Sequence, residues 1–106
     1  MSTEPELTQL SDPVYDIHVD LGNLRGEEGN TMVIVATIRN ALKQLKREGI
    51  LVSADNTPDA FAKRALKGNR LNAMVECAKL FRLQFICEEE SEDYGIWLLL
   101  QDRGDF

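Results

Sequence analysis

The chain has 106 residues, 43% of them hydrophobic and 28% charged, the size and balance of one globular domain, and this excludes wholesale disorder. No apolar run approaches the about 18 residues of a membrane span, and the acidic, polar start Met1-Ser2-Thr3-Glu4-Pro5-Glu6 reads against a secretory leader. The net charge of −6 is unevenly divided: residues 1–30 hold seven acids and one base, residues 31–82 ten bases and four acids, and residues 83–106 seven acids and one base. A basic middle thus lies between two acidic flanks, which attract it and steer outside partners.

Residues 1–12 mix Ser, Thr, Glu and Pro with only Leu7 and Leu10 as apolar anchors and are expected to form a flexible tail, leaving a single domain over 13–106. Residues 14–21 alternate: Tyr15, Ile17, Val19 and Leu21 share one face and Asp16, His18 and Asp20 the other, the period of a half-buried strand. A loop through Gly26-x-x-Gly29-Asn30 leads to a helix capped by Asn30 or Thr31 and running to residue 48. Ile34, Ile38, Ala41, Leu42 and Leu45 form its apolar stripe, and Arg39, Lys43, Lys46 and Arg47 the opposing one. Gly49 followed by Ile50 predicts a Schellman stop, and residues 50–52 a buried connector.

Thr57-Pro58 reads as the cap and first residue of a second helix over 58–67, with Phe61 and Ala65 inward. Asn69 caps a third over 70–82, with Leu71, Met74, Val75, Ala78 and Phe81 inward. Residues 83–88 and 94–101 read as a closing hairpin around an acidic turn. The expectation is an α+β fold of order β-α-α-α-β-β, a small three-stranded mixed sheet with helices packed on one face.

Five features bear on chemistry. Asp16-x-His18-x-Asp20 is either three ligands on one strand face or a solvated edge, with no fourth ligand in sight. The Gly26–Asn30 loop precedes a helix, where backbone N–H groups bind phosphate, but Glu27 and Glu28 would repel an anion there and favour a plain turn. The basic helices carry Arg39, Lys43, Lys46, Arg47, Lys63, Arg64, Lys67, Arg70, Lys79 and Arg82, either a solvated face or a phosphate-neutralising one. Glu88, Glu89, Glu90, Glu92 and Asp93 crowd the expected hairpin tip, for solubility or for a basic partner. Trp97 and Leu99 would point from the sheet face away from the helices, open to a second copy or a partner unless the tail covers them. Cys77 on an apolar helix face and Cys87 in a strand read as core residues of a chain kept in a reducing, cytoplasmic setting.

Ile17-x-Val19-x-Leu21, Gly26-x-x-Gly29-Asn30, Ala41-Leu42-Lys43 and Phe61-x-Lys63-x-Ala65-x-x-Gly68, with Met74 on the next helix, resemble a family of small uncharacterised bacteriophage and prophage proteins over roughly residues 14–81. In place of that family's acidic run with Tyr and His after the glycine stands Asn69-Arg70-Leu71-Asn72, and the acidic stretch after Phe81 is additional. The resemblance implies a phage-like origin and a β-α-α core, and no activity.

With no catalytic constellation, cofactor motif or metal motif, the expected function is non-enzymatic. A phage-type accessory protein would bind a host protein, as inhibitor or modulator of a defence or transcription component, through Glu88, Glu89, Glu90, Glu92, Asp93, Trp97 and Leu99, with homodimerisation on the same apolar face. The alternative is a small nucleic-acid-binding regulator using Arg39, Lys43, Lys46, Arg47, Lys63, Arg64 and Lys67.

Overall fold

The computed structural model describes residues 10–26, 29–50 and 53–106. Most of the expected tail (residues 1–9, with Leu7), Glu27 and Glu28 of the loop, and Leu51 and Val52 of the connector lie outside the described residues. The elements follow as β1 (His18–Asn23), α1 (Thr31–Arg47), a 3₁₀ turn (Ala54–Asn56), α2 (Pro58–Ala65), α3 (Arg70–Leu80), β2 (Arg82–Ile86) and α4 (Tyr94–Arg103). The α+β class stands, and among the described residues no helix is long and apolar enough to cross a membrane.

The sheet differs from the expected three strands. Among the described residues it has two, β1 and β2, paired parallel from His18↔Arg82 to Asn23↔Ile86. Parallel neighbours require a crossover, and α1, α2 and α3 provide it. The register slips between Asp20 and Gly22, where Gly22 takes φ +79° and donates its N–H to Asp20 Oδ1 at 2.8 Å.

Residues 94–103 form α4 rather than a returning strand, so there is no closing hairpin. The apolar run 96–100 fits either period. Packing against β2 and α3 decides for the helix, because Ile96 and Leu100, four apart, are the residues it buries. Gly104 at φ +87° stops it, with Gly104 N donating to Gln101 O at 3.1 Å and Asp105 N to Leu100 O at 3.0 Å. β1 also begins later than the alternation suggests. Val14 N and Tyr15 N donate to the carbonyls of Lys79 and Leu80, each at 2.9 Å, so this segment satisfies the end of α3 and Tyr15 rests on Phe81.

The helix starts match their caps. Asn30 Oδ1 accepts from Met32 N at 2.8 Å, Thr57 Oγ1 from Ala60 N at 3.3 Å, and Asn69 Oδ1 from Asn72 N at 3.0 Å. α1 ends in the expected Schellman motif: Gly49 at φ +79°, Gly49 N donating to Lys46 O and Ile50 N to Leu45 O. Ile50 itself is exposed, not a buried connector residue.

The core joins the α1 stripe of Ile34, Ile38, Leu42 and Leu45 to Phe61, Met74, Phe81, Leu83, Ile96 and Leu100. On α3 the buried set is Ala73, Met74, Glu76, Cys77, Ala78 and Leu80, while Leu71 is exposed and Val75 half-buried. This helix packs against α1, α2, β2 and α4 together, so its buried surface is wider than one stripe.

Candidate functional site

Ion pairing sorts the ten cations of the basic middle into two groups. Arg39 pairs with Asp59 at 2.6 Å, Arg64 with Glu76 at 2.7 Å, Arg70 with Asp93 at 2.8 Å and Lys79 with Glu76 at 3.2 Å, while Arg82 bridges Asp16 and Asp105. Among the described residues Lys43, Lys46, Arg47, Lys63 and Lys67 make no ion pair. All five lie on the C-terminal half of α1, on α2 or just beyond its end.

Arg39, Lys43, Lys46 and Arg47 recur at i, i+4, i+7 and i+8, opposite the buried stripe of α1. They line a groove of about 370 Å³ closed by Thr57, Pro58 and Asp59 at the start of α2. At the helical rise, the cations span about 12 Å along the axis. Four cations thus face one carboxylate across the groove, which makes it electropositive in a chain of net charge −6. A second hollow, lined by Ala54, Asp55, Ala60, Lys63, Arg64 and Lys67, adjoins the rest of α2. Arg64 is committed there to structure: it donates to Glu76, to Asp55 O at 2.7 Å and to Asn56.

The acidic segment after β2 is a loop, not a hairpin tip, and its charge is partly folded back on the helices. Asp93 is 5% exposed and takes a two-pronged hydrogen bond from Arg70, Nε to Oδ1 at 2.8 Å and Nη2 to Oδ2 at 2.9 Å. Arg70 also donates to the carbonyl of Gly29 and to Thr31 Oγ1, and Glu92 lies beside it at 3.7 Å. Arg70 thus ties the start of α1 to the acidic loop, and the cleft of about 730 Å³ there is lined by Glu92 and Asp93 as well as Gly29, Asn30 and Arg70. Glu88, Glu89 and Glu90 remain exposed. Trp97 is half-buried on α4, stacked on Tyr94 with ring centroids 5.5 Å apart and tilted against Phe106, and Leu99 is half-buried, so neither sits on an open sheet face.

The sequence reading missed a buried ion cluster. Asp105, with no exposed surface, accepts from Arg103 Nε and Nη2 at 2.8 and 2.6 Å, from Leu83 N at 2.8 Å and from Arg82 Nη1 at 3.2 Å. Arg103 in turn donates to the carbonyls of Ser11, Ala78 and Phe81. Arg103 in the last turn of α4 was the visible signal, but its partner follows only from the helix and its left-handed stop.

Burial alone would raise the Asp105 carboxyl. The hydrogen bonds from Arg103 and Leu83 N–H and the charge of Arg103 outweigh that and hold it below its ordinary value. Glu76 is lowered in the same way, burial being outweighed by Arg64 and Lys79. Groups depressed in the folded state contribute stability above their unfolded values of 3.8 and 4.5 and lose it as pH falls through the folded ones. Urea midpoints are therefore expected to hold steady from neutral pH down to those values and to fall below them. A midpoint unchanged at pH about 3 would show that the cluster adds nothing.

Asp16 is held low by the hydrogen bond and charge of Arg82, and Asp20 is taken up by Gly22 N–H. Among the described residues no three His, Cys, Asp or Glu side chains gather as metal ligands would. Burial pushes the Cys77 thiol up to about 12 and raises Cys87 as well, so neither is a thiolate at neutral pH. The chain matches no protein-family model, and comparisons with curated proteins and with solved structures return no match.

Proposed function

We propose that this protein is a non-enzymatic nucleic-acid-binding module that grips the phosphate backbone with the groove between α1 and α2. One observation carries this reading: Arg39, Lys43, Lys46 and Arg47 line a single groove, and three of the four have no acidic partner among the described residues. Cations at i, i+4 and i+8 are about 6 Å apart along the axis, close enough to meet successive phosphates. The aromatic nearest in sequence to the groove, Phe61, is fully buried, so contact falls on the backbone and not on stacked bases. Nor does α3 resemble a recognition helix: most of it is core, and its exposed cation Lys79 is paired with Glu76.

A salt titration of binding to a mixed-sequence DNA duplex tests this. Log affinity should fall linearly with log salt, by about 0.9 per phosphate contact. Substituting Lys43, Lys46 and Arg47 together by Ala should flatten that slope by nearly three and weaken binding equally for all sequences. An unchanged slope, or no binding at low salt, contradicts the proposal.

A second reading, docking of a basic host protein, draws on the exposed Glu88, Glu89 and Glu90. In that case association slows when these three become Ser, and the groove substitutions have no effect.

A further inference from the structure

Arg39 is the cation of the groove that the protein neutralises itself. Its Nη2 donates to Asp59 Oδ1 at 2.6 Å, while its Nε is buried and meets no acceptor among the described residues. A single carboxylate oxygen therefore uses half of the guanidinium edge. A phosphate oxygen can take the place of that carboxylate oxygen at Nη2. Asp59 is loosely kept: its side chain is 84% exposed, and Arg39 is its one ion-pair partner among the described residues.

Resting on the nucleic-acid reading of this groove, we infer that Asp59 stands in for a phosphate. In the free protein its carboxylate closes Arg39. On binding, a backbone phosphate expels it to water and takes its place on Arg39 Nη2. This makes Asp59 a selectivity residue. A lone small anion gains one contact and must still displace the carboxylate, whereas a polyanion gains Lys43, Lys46 and Arg47 at the same time. Arg39 therefore stays closed to simple anions and opens to an extended phosphodiester.

The test is a double-mutant cycle on duplex affinity at low salt, using the full chain, Asp59→Asn, Arg39→Gln and the combination, with far-UV spectra to establish a common fold. Both positions have substantial side-chain exposure, so the fold should survive the changes. Asp59→Asn should tighten binding by about two- to five-fold, the equilibrium worth of an exposed ion pair. On the Arg39→Gln background it should add nothing, because the competition is for Arg39. If the native chain binds but Asp59→Asn leaves affinity unchanged, or tightens it equally on both backgrounds, Asp59 is a bystander charge and the inference fails while the groove reading stands. If neither the native chain nor Asp59→Asn binds the duplex, the groove reading fails and takes the inference with it.

Discussion

Asp105→Ala is expected to be the most destabilising single substitution at a polar position of this domain. The native carboxylate has no exposed surface and gathers Arg103, Arg82 and the Leu83 N–H around it. Removing it leaves the nearly buried Arg103 guanidinium without its counter-charge and a strand N–H without an acceptor. Breaking a buried pair by deleting one partner costs about 3–5 kcal/mol, against a total stability of about 5–15 kcal/mol for a domain. A fall in the melting temperature of at least about 12 °C follows, at about 4 °C or more per kcal/mol for a domain of this size. Asp105→Asn preserves the shape and one acceptor, so its loss should be intermediate. A melting temperature for Asp105→Ala within a few degrees of the native chain would mean that the cluster is idle.

Gly29→Ala should come next, for a steric reason. A Cβ on Gly29 would overlap the carbonyl oxygen of Leu24 and lie 2.7 Å from its carbonyl carbon, both backbone atoms that cannot rotate away. The Gly29 carbonyl also receives the Arg70 guanidinium, so any shift disturbs the junction of α1, α3 and the acidic loop. Overpacking of this kind costs about 1–3 kcal/mol, and the lost Arg70 geometry adds to it. Gly26→Ala is the matched control: nothing lies within 4 Å of its Cβ position, and the change should stay within about 0.5 kcal/mol. Equal thermal melts for the two variants would refute the steric account.

The helices were legible because their ends are written in local chemistry. Asn30, Thr57 and Asn69 each place a side-chain oxygen where an unpaired helix N–H needs one, and Gly49 alone permits the left-handed stop of α1. Such signals act over three or four residues and survive any tertiary arrangement. The C-terminal part was not legible, because residues 96–100 are apolar at every position and support both periods. Gly104 after Arg103 was the local clue to a helix, but an acidic stretch followed by β-favouring residues also reads as a hairpin. With α4 in place of the third strand, β2 pairs with β1 among the described residues, and that pairing is parallel.

The groove was half legible. The 3.6-residue period put Arg39, Lys43, Lys46 and Arg47 on one side of α1, but Asp59 across from them belongs to another helix, and no sequence rule joins the two. The same holds for Arg70 with Asp93 and for Arg82 with Asp105, pairs more than twenty residues apart. Such long-range pairs depend on how the helices and strands pack.

The parallel pairing has a consequence for how the chain reaches this state. His18 and Arg82 are partners although more than sixty residues separate them, whereas each intervening helix is stabilised over a few turns. Loop-closure entropy is charged before that distant contact gives anything back. Leu83 and Phe85, both buried at the end, stay uncovered until then, so crowded refolding favours clumping and dilute refolding favours recovery of the native fold.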